Sequence, residues 1–110
     1  MKLPEDAIIA AAKLNQYLLV PKRRNDKSQW LARAGYTLEN WPKLEQDLRE
    51  QLLPLEAVLT ETTAYGQLYE IVGELQGPNG RVIAVRTVWM DEAATGQVKF
   101  ITLFPDRQRG

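Results

Sequence analysis

LYEIVGELQGPNGRVIAVRTVWM, residues 68–90, decides the fold. Its two arms, residues 68–75 and 81–90, are rich in β-branched and aromatic side chains. The GPNG between them supplies glycine and asparagine for positive φ and proline for a fixed one, which is what a tight hairpin turn needs. Alternation along the second arm puts Val82, Ala84, Arg86, Val88 and Met90 on one face and Ile83, Val85, Thr87 and Trp89 on the other. The hairpin is therefore antiparallel, with Arg86 flanked by apolar neighbours on its own face.

Outward from the hairpin the period stays near 2 as far back as Pro54. Residues 57–62 read as a strand, Glu92 to Gly96 offers a second turn, and residues 97–104 set Val98, Phe100, Thr102 and Phe104 against Lys99, Ile101 and Leu103. Before Pro54 the period is helical. A first helix starts near Pro4, carries Ile8, Ala11, Ala12, Tyr17 and Leu18, and ends before Pro21. A second is capped by Asp26, buries Trp30, Leu31 and Ala34 and closes on Gly35 in the left-handed C′ position. A third, capped by Asn40, carries the stripe Trp41, Leu44, Leu48, Leu52 and Leu53. Glu45, Asp47, Arg49 and Glu50 are expected on its solvated face. The fold class is α+β: one domain over 1–110, with a helical half 1–53 packed on one face of an antiparallel meander of about four strands, 55–105.

Composition narrows the chemistry. The chain of 110 residues has no cysteine and no histidine, so disulfides, thiolate chemistry and imidazole catalysis are excluded. Lys+Arg and Asp+Glu are both 14, so attraction to a polyanion has to come from local patches. The acidic residues show no metal-ligand spacing, and no metal or cofactor is expected. Residues 7–12 form too short an apolar run for a signal peptide or a span. The expectation is a cytoplasmic chain that does not engage the membrane.

The one dense patch is Lys22, Arg23, Arg24 and Lys27, gathered where the second helix begins. Helix dipoles favour anions at that end, so cations there point to an anion nearby. Arg86 is either a phosphate or carboxylate fork or the register partner of Glu70 or Glu74 across the hairpin. Tyr65, beside Gly66, is a better stacking or proton-donating candidate than Tyr69, which reads as packed. The tryptophans Trp30, Trp41 and Trp89 read as core. An exposed terminal strand leaves an edge for a second copy, so monomer and dimer both stay open. Residues 106–110 are expected to fray.

KLNQYLLVP (residues 13–21), NDKSQWLARAGY (25–36), GRVIAVRTVWM (80–90) and KFITLFP (99–105) together resemble an uncharacterised family of small bacterial domains associated with toxin modules. Its layout is similar to the barnase, colicin and RelE-like ribonuclease toxin fold. Lys27 matches the family's helix-start lysine, Trp89 its strand tryptophan, and Thr102 the threonine before the final Pro105. The resemblance implies metal-independent ribonuclease-like cleavage of RNA phosphodiesters, in which the ribose 2′-hydroxyl attacks the adjacent phosphate while Lys27 and Arg86 stabilise the developing charge. Thr102 and Tyr65 complete the catalytic candidates. Lys22, Arg23, Arg24 and Lys99 are the RNA-binding candidates, with Arg107 adding to the basic surface, and a small antitoxin-like protein is the implied partner. Without histidine the proton carrier is Tyr65, a carboxylate such as Glu70, or a lysine of depressed pKa. The reading requires Lys27, Arg86 and Thr102 to converge on one concave surface. The alternative is a non-catalytic protein-interaction domain on the same scaffold, binding through its sheet face or edge.

Overall fold

A computed structural model describes residues 1–24 and 26–106. The helical half comprises α1 (Ala11–Lys13), which widens into a π-helical turn over Leu14–Leu18, α2 (Ser28–Ala32), and α3 (Trp41–Asp47), which continues as a π-helical turn over Leu48–Leu52. The strands are β1 (Val58–Thr63), β2 (Gly66–Gln76), β3 (Val82–Glu92) and β4 (Val98–Pro105), in one antiparallel sheet of order β1-β2-β3-β4. This is the α+β layout of the sequence reading, with the helices N-terminal to the strands.

The core lies between the helices and one face of the sheet. Leu14, Leu18, Leu31, Leu44, Leu48 and Leu52 meet Ile71, Leu75, Val85, Trp89, Phe100 and Leu103 there, all essentially out of solvent. Each such leucine contributes about 1.5–3 kcal/mol by leaving water. Trp89 and Phe100 pack edge to face with centroids 5.2 Å apart. The indole N–H of Trp89 donates to Thr87 Oγ1 at 2.8 Å, and that hydroxyl donates to Ile71 O at 2.9 Å. The buried polar atoms of β3 are thus satisfied inside the core.

The hairpin turn does more than join β2 to β3. Asn79 Nδ2 donates to Arg33 O at 2.9 Å and Asn79 N to Ala34 O at 3.3 Å, so the turn satisfies carbonyls at the end of α2. A Cβ on Gly77 would stand 1.8 Å from Ala34 O. The turn and α2 touch backbone to backbone, and Gly35 leaves the helix at φ +96°. This contact fixes where α2, and Lys27 at its start, sits over the sheet.

Four expectations are corrected. The first helix begins at Ala11, not near Pro4: Ile8 N donates to Val98 O at 2.8 Å and Phe100 N to Ile8 O at 2.8 Å, so this stretch is an extended rail along the free edge of β4. An unpaired strand edge offers backbone bonds that β-branched Ile8 takes readily. Asp47 and Arg49 are not on a solvated face. Asp47 is 3% exposed, accepts from Tyr36 OH at 2.7 Å and pairs with Lys43 at 3.1 Å, while Arg49 donates to Glu5 O and Ala7 O, both at 3.0 Å. Asn40 does not cap α3 through its side chain; its Oδ1 accepts from Thr37 N and its Nδ2 donates to Gly35 O.

The fourth correction shapes the site. β4 does not alternate strictly. Val88 pairs with Thr102 but Trp89 pairs with Phe100, so Ile101 is an extra, bulged residue. The bulge brings Leu103 inside with Val98 and Phe100, and turns Thr102 and Phe104 out with Lys99.

Candidate functional site

The face of the sheet turned away from the helices carries Arg86. Across β3–β4 its register partner is Phe104, and the next outward pair is Val88 with Thr102. Across β2–β3 Val88 pairs with Glu70. Glu70, Val88 and Thr102 thus form one row over the sheet, beside a second row holding Val72, Arg86 and Phe104.

The chain between α1 and α2 brings Lys27 to this surface. Lys27 Nζ donates to Thr102 Oγ1 at 3.3 Å, a contact between residues 75 apart in the chain, and lies 5.8 Å from the Phe104 ring centroid. Lys27 is thus within the range of cation–π attraction to Phe104, whose register partner on β3 is Arg86. Burial, followed by the charge of Lys22, holds the Lys27 ammonium below the ordinary lysine range. Lys22 itself stacks its ammonium 3.1 Å from the Tyr17 ring centroid.

Local chemistry explains the placement. The Asp26 carboxylate accepts from both the N–H of Ser28, at 2.8 Å, and its hydroxyl, at 2.6 Å, and these bonds hold its pKa below the usual carboxylate range. The chain's own Asp26 thus satisfies the start of α2. Arg23 and Arg24 are exposed in the preceding bend.

Among the described residues, Arg86 pairs with Glu70 and Asp106. Its NH1 lies 2.5 Å from Glu70 Oε1 and its NH2 3.2 Å from Asp106 Oδ1. The Glu70 hydrogen bond, then that from Asp106, outweighs desolvation and holds the guanidinium pKa above its ordinary value. Glu70 is one of the two register partners that the sequence offers. Asp106, expected to fray, is instead buried, with its N–H donating to Ala84 O at 3.0 Å. What could have found it is the acidic residue directly after the strand-ending Pro105, one turn of the pleat beyond Phe104. Arg107 lies outside the described residues.

The other candidates stand apart. Tyr65 is 77% exposed in the β1–β2 turn. Its neighbour Gly66 pairs with Glu92, roughly 20 Å along β3 from Arg86 at about 3.3 Å per residue. Lys99 pairs with Glu92 at 3.1 Å, toward that same end of the sheet. Of the three proton carriers left open by the sequence, Glu70 and Lys27 share the face with Arg86, and Tyr65 does not.

A cavity of about 570 Å³ opens elsewhere, lined by Lys2, Leu3, Glu5, Arg49, Leu53 and Pro54. None of the candidate residues lines it. Among the described residues no three carboxylates gather in reach of one metal ion, and no helix is long and apolar enough to cross a membrane.

A family model described as a domain of unknown function, DUF6883, matches residues 2–107. No curated protein and no solved structure matches the chain.

Proposed function

Because the chain belongs to the DUF6883 family, a domain of unknown function, we propose a function from the site itself: metal-independent, ribonuclease-like cleavage of RNA phosphodiesters by Lys27, Thr102 and Arg86. The observation that carries this reading is the bond from Lys27 Nζ to Thr102 Oγ1, which sets a primary amine beside a hydroxyl on the face that holds Arg86. An ammonium over an aromatic ring, with an arginine on the neighbouring strand of the same face, suits a nucleotide: the cations meet the phosphate and the Phe104 ring offers a surface for a base.

In the proposed reaction the ribose 2′-oxygen bonds to phosphorus and the bond to the 5′-oxygen breaks, leaving a 2′,3′-cyclic phosphate. Lys27 and Arg86 stabilise the charge gathering on the phosphoryl oxygens. The 2′-hydroxyl proton leaves to a base and the 5′-oxygen receives one; Glu70, beside Arg86, and Lys27, beside Thr102 on this face, are proposed to serve. Thr102 holds the Lys27 amine in place. Lys22, Arg23 and Arg24 lie along the chain leading into Lys27 and extend the cationic track for the RNA backbone. A toxin-like cytoplasmic role, with a small antitoxin-like protein covering the face, belongs to the same proposal.

The test is incubation of the folded protein with mixed-sequence RNA in the presence of a chelator, with 2′-deoxy strands as control. Cyclic-phosphate ends from RNA alone are the expected result, lost in Lys27→Ala and Arg86→Ala variants whose melting is intact.

A second reading, the non-catalytic interaction domain, is favoured by β1. This edge strand leaves Val58 60% and Leu59 48% exposed, a surface suited to strand addition. Inertness of the wild-type chain toward RNA would turn the balance to it.

A further inference from the structure

The two carboxylates on Arg86 are of unequal standing. The Asp106 side chain is 2% exposed, while that of Glu70 is 25% exposed. Asp106 is also tied through its main chain, since its N–H donates to Ala84 O, on the strand that carries Arg86. Glu70 reaches Arg86 from β2, on the side of the row that ends in Thr102. A guanidinium presents its donors in a rigid plane, so one edge can be tied down while another is offered to a ligand.

We propose that Asp106 is a positioning residue that locks the Arg86 fork, and that Glu70 holds the ligand-facing edge of that fork until a phosphate displaces it. The inference rests on reading this face as a phosphodiester site and deepens that reading. The exchange swaps one anion for another and breaks no covalent bond: Glu70 swings toward solvent, and a phosphoryl oxygen takes the NH1 donor it leaves. Asp106 has no such freedom, because leaving Arg86 would strand a buried carboxylate. The ligand chemistry is a phosphate mono- or diester, and a displaced Glu70 stands beside it with its carboxylate unengaged by Arg86.

The test uses inorganic phosphate, titrated into the full chain and followed by the NMR signal of the Arg86 side-chain Nε–H. Glu70→Gln and Asp106→Asn each remove one negative charge, so electrostatics alone would tighten phosphate binding in both. The expected results have opposite signs. Glu70→Gln binds phosphate several-fold more tightly. Asp106→Asn binds it about tenfold more weakly, the scale seen when the outer partner of a ligating group is lost. In a double-mutant cycle read by isothermal titration calorimetry, the Asp106→Asn effect disappears in an Arg86→Gln background, which a merely structural role would not produce. Each variant is measured below its own melting temperature, and the Glu70→Gln arm stands even if Asp106→Asn fails to fold.

Shifts of the same sign in both variants, or no tightening in Glu70→Gln, overturn the inference. Separate assays of RNA keep the two claims apart. The opposite-sign pattern without RNA cleavage upholds the Arg86 device and removes the ribonuclease reading. Cleavage without the pattern does the reverse.

Discussion

Lys27 binds its proton less tightly in the folded chain than in the unfolded one, because burial and then Lys22 hold its pKa below 10.5. A group depressed in this way adds stability as pH rises from its folded value toward its unfolded one. At neutral pH the charged amine therefore works against the fold. Lys27→Met is expected to raise the melting temperature at pH 7 while removing the proposed activity; solvent around the half-exposed amine keeps the gain to roughly 2–4 °C. Calorimetry checks this, and a fall in melting temperature contradicts it. Tyr36 runs the other way. Burial, then the hydrogen bond to Asp47, pushes its phenol well above the ordinary value of 10. The neutral phenol's contribution is whole below pH 10 and is lost as pH rises beyond it. Tyr36→Phe should cost about 1–3 kcal/mol at pH 7 by taking a donor from buried Asp47. It should also remove the alkaline fall in stability, which urea unfolding at pH 7 and pH 11 would show. Neither partner was visible in the sequence, because Asp47 occupies a position in the charged run of α3 that a helical wheel assigns to solvent.

At the scale of elements, the hairpin turn sets the position of α2 and so of the amine it carries. A Cβ on Gly77 would meet the Ala34 carbonyl, whereas one on Gly80 would meet nothing within 4 Å. Gly77→Ala is thus expected to cost more than about 2 kcal/mol, the range of overpacking against an unyielding backbone. Gly80→Ala should cost less despite its φ of +87°. Chemical denaturation of the pair measures the difference; equal losses would mean that the turn does not anchor α2. The hairpin and the helical stripes were legible because turn chemistry and hydrophobic period are local signals. The bulge at Ile101 and the rail at Ile8 were not. Each is settled by what lies across a ladder: Trp89 and Phe100 both need the core side, and the β4 edge needs backbone partners. Strict alternation would have sent Thr102 and Phe104 to the core side, away from Arg86. Lys27 and Arg86 are conspicuous in the sequence as cations, but the contact joining Lys27 to Thr102 spans 75 residues and exists only in the folded sheet.

For the molecule as a whole, equal totals of 14 basic and 14 acidic residues mean that no long-range field assists RNA binding. On the proposed reading, attraction comes from Lys22, Arg23, Arg24, Lys27 and Arg86. Five phosphate contacts would give a log–log salt slope of about −3.5 for single-stranded RNA. A slope near zero would remove the phosphates from the account, and a much steeper one would require a larger surface. The most direct trial of the central claim is cleavage of mixed-sequence RNA by the folded wild-type chain in chelator, with Lys27→Ala alongside and the product ends analysed. The account expects 2′,3′-cyclic phosphate ends from the wild type and at least a hundredfold less product from folded Lys27→Ala, in the range lost with a key electrostatic group. Undiminished cleavage by Lys27→Ala, or intact RNA after incubation with the folded wild type, would contradict it.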